Sequence, residues 1–417
     1  MCRPPIGGHG KRPFTTVVPS LLGLAAAAML TMLIATTNSS SSMMGLCKSA
    51  GCMGGLNSKE RQLPPLPSPN PAMLPSGRLE LLHGCTDFRC LRAAHALPRG
   101  PGQAFNFPHF FVIGFPKCAT TSLAAYLQRH PQAVESNPKE PRMFNAVGNC
   151  SHPDSPTLRW GCDKAQEERY LLRTLKRDVV VESGLSRAAF EASTDYSWTP
   201  HVVASGIRRE LPWLKLVVSI REPISTAISG VVHRLQELGR PKEEQSDWWV
   251  PEPVDECLER MRGGTNGTSM ADCLRIRLGG DKSAWFDYTR AMAGWLHAFP
   301  AEQFHVLQYE NLTAPGSREA VLADMQRFLG LDPSLAPREL PAENSRKGSE
   351  HPEGWPMRRE QYEEFVGIAT AASHRLAEQL EQHGLKDGEQ WLEAWEAAWS
   401  CNLASCDANG DCLIQLT

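Results

Sequence analysis

Lys117 is followed closely by three hydroxyl side chains in the stretch Gly114-Phe115-Pro116-Lys117-Cys118-Ala119-Thr120-Thr121-Ser122-Leu123. An ammonium group, several hydroxyls and the unpaired N–H groups of a helix start together make a site for an anion such as a phosphate ester. The competing reading is an ordinary N-capped helix behind a turn, with the Thr/Ser run serving only as cap. The Gly-x-x-x-x-Gly-Lys-Ser/Thr order of an ATP-binding P-loop is absent, because the lysine here precedes the small residues. Further along, Val217-Val218-Ser219-Ile220-Arg221-Glu222-Pro223 puts a guanidinium just after an apolar run. An arginine there can fork onto a phosphate, and Ser225 and Ser229 follow on a helical stretch, Ser229 about two turns in. The bland alternative is an Arg221–Glu222 surface pair and a solvent-facing serine.

These groups need elements to position them. Residues 110–114 form a short apolar run ending in glycine, which suits a buried strand. Residues 120–130 read as a helix stopped by Pro131. Val179-Val180-Val181 reads as a second strand, residues 214–220 as a third with a helix from Pro223, and residues 304–309 as a fourth with a helix over 319–329. Residues 360–383 read as a long helix stopped by Gly384. Strands alternating with helices predict an α/β fold, with a parallel sheet covered on both faces and ligands at the strand ends.

In this order, and each at a strand end, the two stretches resemble the 5′-phosphosulfate-binding and 3′-phosphate-binding segments of PAPS-dependent sulfotransferases. The likeness is greatest to the Golgi carbohydrate enzymes and their heparan sulfate branch. The resemblance implies a P-loop-type three-layer sandwich, its central parallel sheet flanked by helices. It also implies 3′-phosphoadenosine 5′-phosphosulfate (PAPS) as donor, with contacts from Lys117, Cys118, Ala119, Thr120, Thr121, Ser122, Arg221 and Ser229. Ala119 stands where the family often has glycine. Ser345-Arg346-Lys347-Gly348-Ser349-Glu350-His351-Pro352 resembles the loop that covers the nucleotide, adding Lys347, Gly348 and Ser349. Ser349 stands in place of a usual arginine, and the disulfide preceding this loop has no counterpart, since no cysteine lies between Cys273 and Cys401.

Sulfuryl transfer needs a stabilised leaving group and a deprotonated acceptor held in line. Lys117 is the candidate for stabilising charge on the bridging oxygen. The stretch Glu140-Pro141-Arg142-Met143-Phe144 resembles a Glu-x-His-Phe-Phe segment whose Glu takes the acceptor proton, which implies Glu140 as base. Arg142 replaces the histidine and Met143 the first phenylalanine. The competing reading of Glu140 is a surface carboxylate paired with Lys139 or Arg142. Residues 191–196 align with a Glu-Lys-Thr-Pro-x-Tyr stretch near the cleft. Its lysine is Ala192 here, and Asp195 is either a second carboxylate near the acceptor or a helix cap. Trp198, Trp248, Trp249 and Trp355 are candidates for stacking on sugar rings, against the commoner fate of core packing. The implied acceptor is a glycan hydroxyl or amine. A lipid, a tyrosine, a small metabolite, or an inactive nucleotide-binding relative are the alternatives, and a P-loop kinase is disfavoured by the lysine order.

The 417 residues are 41% hydrophobic and 21% charged, ordinary for a soluble domain with extensions. A net charge of -3 argues against a nucleic-acid binder and leaves anion binding to local groups. Arg3, Lys11 and Arg12 precede an uncharged apolar run over 17–35, about long enough to span a bilayer. Flanking positive charge would keep residues 1–16 cytosolic, giving a type II anchor with the remainder in the Golgi lumen. A cleaved signal peptide and a transit peptide are the competing readings. Residues 36–104, with their Ser run and Pro64-Pro65-Leu66-Pro67-Ser68-Pro69, read as a flexible stem. Residues 105–400 read as the catalytic domain and 401–417 as a cysteine-containing tail.

Thirteen cysteines without a C-x-x-C pair suit an oxidising compartment. Cys47/Cys52, Cys85/Cys90, Cys150/Cys162, Cys257/Cys273 and the group Cys401, Cys406, Cys412 are local disulfide candidates. Sequons at Asn149, Asn266 and Asn311 are compatible with a glycosylated lumenal protein. No cluster has zinc spacing and the loop 407–411 is too short for a calcium site, so no metal is expected.

Overall fold

Successive side chains of a strand point to opposite faces, and this alternation sets the layers here. The computed structural model describes residues 77–145, 164–241, 252–264, 267–278, 287–343, 354–385 and 388–417. Strands β1 (Phe110–Gly114), β2 (Ala133–Glu135), β3 (Ala188–Glu191), β4 (Lys215–Ile220) and β5 (Phe304–Gln308) form one sheet in the order β2-β3-β1-β4-β5. All its pairings are parallel. Phe110 and Val112 of β1 share a core with Leu123 and Leu127 of the helix Thr120–Gln128 and Met325 of the helix Arg318–Leu329. Phe111 and Ile113 face the opposite core, with Ile224 and Ile228 of the helix Pro223–Leu238 and Trp295 of the helix Tyr288–Ala298. Helices thus cover both faces, the three-layer α/β arrangement expected. Strands so buried read as unbroken apolar runs.

The strand order creates a crevice. From the carboxyl end of β1 the chain leaves towards β2, on one side of β1. From the carboxyl end of β4, the neighbour of β1 on the other side, it leaves towards β5. The helices that follow pack on opposite faces of the sheet. The carboxyl ends of β1 and β4 therefore flank the topological switch point, where open α/β sheets bind ligands.

Several expectations need correction. Val179-Val180-Val181 is not a strand but part of the helix Arg177–Glu182, with Val180 and Val181 buried and Val179 exposed. One inward stripe of a helix satisfies this run, and tertiary packing overrides the β-branched preference. The strand is instead β3, which begins at Ala188 and whose small Ala188 and Ala189 carry little strand propensity. Where the stem is expected to reach 104, the helices Arg78–Gly84 and Phe88–Ala96 form instead, burying Leu82, Phe88 and Leu91 in the core.

Nor do residues 401–417 form an appended tail. The helix Gly388–Ala404 runs through Cys401 and buries Trp391, Trp395 and Trp399 along one side. β6 (Trp355–Arg358) then pairs antiparallel with β7 (Asp411–Ile414). Asp407 Oδ1 accepts from the N–H groups of Asn409 and Asp411, at 2.8 and 2.9 Å, closing the turn that faintly resembles a calcium loop. The helices expected over 120–130, 319–329 and 360–383 are present, the last running Arg359–Gln382 before Gly384 at φ 65°.

Disulfides join Cys85–Cys90, Cys257–Cys273 and Cys406–Cys412, while Cys118 is a buried free thiol. The candidate pairs Cys47/Cys52 and Cys150/Cys162, the apolar run 17–35 and the sequons at Asn149 and Asn266 lie outside the described residues. Among the described residues no helix is long and apolar enough to cross a membrane. Cys257–Cys273 links the helices Glu252–Arg262 and Met270–Leu278 across a separation of 16 residues. Replacing both cysteines by serine is expected to lower the unfolding free energy by about 3 kcal/mol. The urea midpoint at unchanged slope reads this, and an unshifted midpoint would contradict the cross-link.

Candidate functional site

The loop after β1 is built to be held open. Lys117 and Ala119 both adopt left-handed backbone, at φ 68° and 59°. For non-glycine residues this costs about 1–2 kcal/mol each, and it gives a conformational reason for glycine at the position of Ala119. Three hydrogen bonds to the end of β4 offset the cost. The Phe115 N–H donates to Ser219 O at 2.7 Å, Ser219 Oγ donates to Cys118 O at 2.7 Å, and Arg221 Nη1 donates to Lys117 O at 3.4 Å.

Ala119 is the N-cap of the helix Thr120–Gln128 and supplies no side-chain cap. Thr120, Thr121 and Ser122 occupy the first turn of that helix. The first N–H groups of a helix have no intrahelical partner, and Lys117 stands just ahead of them in the chain. Cys118 contributes only main chain, since its side chain is wholly buried near Thr226 and burial pushes the thiol up to about 12. The Ser122 hydroxyl accepts from the Glu343 N–H at 3.1 Å, anchoring the segment that leads towards residue 344. Lys347, Gly348 and Ser349 lie outside the described residues.

The second helix start at the crevice is different. Glu222 is the N-cap of the helix Pro223–Leu238 and accepts from the N–H groups of Ile224 and Ser225, at 2.6 and 2.7 Å, and from Trp399 Nε1 at 2.6 Å. Glu222 is therefore a buried cap and not the surface partner of Arg221, and burial raises its carboxyl above the usual range. Arg221 stacks over the Tyr309 ring at 4.3 Å, so its charge is presented by the guanidinium edge. Ser225 lies on the first turn beside it, and Ser229 is buried a turn further on.

Glu140 sits between cations. Its carboxylate meets Lys139 Nζ at 2.7 Å and Arg142 Nη2 at 3.4 Å. Lys139 also donates to Thr121 Oγ1 at 3.3 Å, which ties the Glu140 segment to the first turn of the helix after the Lys117 loop. Arg142 is nearer to Asp195, at 2.9 Å, so Asp195 is its principal partner rather than a helix cap. Ser193 is the N-cap of the short turn Thr194–Trp198. Burial raises the Asp195 carboxyl, and Arg142 opposes the shift. Ala192 donates its N–H to Lys139 O at 3.0 Å, which ties the residue after β3 to the Glu140 segment.

Sequence reasoning passed over the role of Glu191. It is fully buried at the end of β3 and accepts from Tyr170 Oη at 2.5 Å. Tyr196 Oη accepts the Phe144 N–H at 3.2 Å and Ser193 Oγ accepts the Arg142 N–H at 3.1 Å, so this buried polar group braces residues 142–144. A carboxyl ending a buried strand was the signal available. Trp198 is half-buried and packs against Phe115 and Tyr288, at 4.7 and 6.2 Å, while Trp355 is buried. Trp248 and Trp249 lie outside the described residues.

A family model described as "Sulfotransferase domain" matches residues 107–351, more than half of the chain. Carbohydrate sulfotransferase 15 of Mus musculus is 25% identical over 312 residues, 62% of this chain and 51% of that protein. The membrane-associated sulfotransferase kil1 of Dictyostelium discoideum is 23% identical over 295 residues, 55% of this chain and 58% of that protein. The bifunctional heparan sulfate N-deacetylase/N-sulfotransferase of Drosophila melanogaster is 26% identical over 234 residues, 55% of this chain and 20% of that protein. The chain spans about half the length of the mouse and Dictyostelium relatives it matches.

Burial pushes the Glu191 carboxyl up to about 7 from an ordinary 4.5. A carboxyl raised on folding contributes its stability fully below the unfolded value and loses it as pH rises through the folded one. The melting temperature is therefore expected to fall between about pH 5 and about pH 8, and Glu191→Gln to flatten that slope. An equally steep profile in the variant would remove Glu191 as its source.

Proposed function

The chain belongs to the sulfotransferase domain family, and on that premise we propose that it moves a sulfuryl group from PAPS to a hydroxyl or amine of a carbohydrate acceptor. One observation carries this reading. Of the two helix starts at the switch point, one is sealed by Glu222 and the other, beside Lys117, has no side-chain cap. A single anion position is left open at the end of β1, with a guanidinium at the end of β4, as a nucleotide bearing phosphates on two sides of its ribose requires.

In this reading the main-chain N–H groups of residues 119–122, with the hydroxyls of Thr120 and Thr121, hold the 5′-phosphosulfate, and Cys118, whose N–H donates to Phe115 O at 3.3 Å, shapes the loop around it. Arg221 holds the 3′-phosphate with Ser225 or Ser229, and Lys347, Gly348 and Ser349 cover the nucleotide. PAPS supplies the sulfuryl group and a phosphate leaving group. Lys117 stabilises the negative charge that grows on the bridging oxygen. Glu140 accepts the acceptor proton, its carboxylate oriented by Lys139 from the donor side, while Asp195 draws Arg142 away from it. Glu191 acts at one remove, by holding the backbone of residues 142–144.

The acceptor class rests on the names of the mouse and fly relatives, both of which act on glycans. Lys139 and Arg142 beside Glu140 fit an acceptor carrying hydroxyls or anionic groups. Three disulfides among the described residues favour an oxidising compartment. With the apolar run 17–35 and the Dictyostelium relative described as membrane-associated, they support a type II protein of the Golgi membrane facing the lumen.

Transfer of label from PAPS to a panel of glycans, with ATP as the comparison donor, tests the activity. Lys117→Ala is expected to lower kcat by about 10²- to 10³-fold, and Glu140→Gln by about 10²- to 10⁴-fold. Binding of adenosine 3′,5′-bisphosphate should stay within about twofold in Glu140→Gln, because the base does not touch the nucleotide. Parent rates in Glu140→Gln would remove it from the role, and label taken from ATP alone would overturn the donor.

A further inference from the structure

The guanidinium of Arg221 is already engaged by the chain itself. Arg221 Nη2 donates to the main-chain O of Thr417, and Arg221 Nε reaches Thr417 Oγ1 at 3.5 Å. The Thr417 N–H donates to Ser225 Oγ at 3.1 Å, and Thr417 Oγ1 donates to Glu310 Oε1 at 2.8 Å. One residue thus takes up both the cation and the first hydroxyl of the following helix. Glu310 Oε1 also accepts the Glu222 N–H at 2.9 Å, so a carboxylate stands directly behind Thr417.

The segment is held from its base. β7 pairs with β6, Ile414 is buried, and the Cys406–Cys412 disulfide closes the turn ahead of it. Asn402 then clasps Gln415 on both sides: its Oδ1 accepts the Gln415 N–H at 2.9 Å and its Nδ2 donates to Gln415 O at 3.1 Å. Thr417 follows that clasp by two residues and carries the hydrogen bonds to Arg221 and Ser225.

We propose that residues 415–417 are an intramolecular occupant of the 3′-phosphate position, so that a nucleotide bearing a 3′-phosphate must displace Thr417 from Arg221 and Ser225. The proposal rests on the reading that Arg221 receives the 3′-phosphate. Phosphate oxygens and the carbonyl oxygen of Thr417 compete for the same guanidinium edge, since its other face lies on Tyr309 and Nη1 holds Lys117 O. Displacement also takes the Thr417 hydroxyl from Glu310 and brings two anions close, which keeps the exchange from being one-sided. The occupied state subtracts from apparent donor affinity in proportion to its population. A 5′-monophosphate, which needs only the Lys117 loop, escapes that penalty.

Titration calorimetry of the full chain and of a chain lacking residues 415–417 tests this, with adenosine 3′,5′-bisphosphate and adenosine 5′-monophosphate as probes. Removal is expected to tighten the bisphosphate by about threefold or more, as when a competing state of about two-thirds population is lost. The monophosphate should change by less than about twofold. Unchanged or weaker bisphosphate binding, or equal tightening of both probes, overturns the proposal. Should the shortened chain lose cooperative unfolding, Asn402→Ala, which loosens the clasp on Gln415 and alters no residue at Arg221, replaces it with the same two outcomes. Arg221→Ala in the full chain separates the premise from the proposal. It should abolish the preference for bisphosphate over monophosphate, and a preserved preference would mean that Arg221 is not the 3′-phosphate residue, whatever the shortened chain does.

Discussion

The parallel pairing of β1 with β4 is the constraint on which the site depends. Phe110 lies opposite Lys215 and Gly114 opposite Val218, so the two strands end side by side. Their outgoing chains then part to opposite faces of the sheet. That parting opens the crevice, and hydrogen bonds from Phe115, Ser219 and Arg221 hold its walls together. Bonds of this kind contribute about 1 kcal/mol each, comparable to the cost of left-handed backbone at Lys117 and Ala119.

Electrostatics in the crevice is arranged locally, as it must be in a chain of net charge -3. Two helix starts meet there, and each presents a positive dipole end. One is neutralised from within by Glu222, whose carboxylate is also fixed by Trp399 of the helix Gly388–Ala404. The other begins at Ala119, whose side chain makes no cap hydrogen bond. The same economy holds around Glu140, where Arg142 is shared between Glu140 and Asp195, and the Ser193 hydroxyl accepts the Arg142 N–H.

The described C-terminal residues belong to this arrangement more closely than their composition suggests. The tryptophans of the helix Gly388–Ala404 enter the core, Trp399 reaches Glu222, and Thr417 reaches Arg221. None of these contacts follows from periodicity, because each joins residues far apart in sequence. Val179-Val180-Val181 and β3 teach the same lesson in smaller form. Propensity favours the valine run as a strand, but the Ala-rich segment is the one that two neighbouring strands require.

What the sequence determines by itself is whatever short-range chemistry can enforce. Apolar runs before Lys117 and Arg221 mark two strand ends, helix stops follow from Pro131 and Gly384, and the close cysteine pairs at Cys85/Cys90 and Cys257/Cys273 are legible from spacing. The order of the lysine loop and the arginine segment is legible too, and with it the family. Tertiary structure alone decided that these two segments are adjacent, that Ala119 leaves its helix uncapped while Glu222 seals the next, and that Ser122 is spent on Glu343. It alone set Thr417 against Arg221. The physical reason is that local propensity fixes backbone conformation over a few residues, whereas strand order and side-chain pairing are settled by burial across the whole domain.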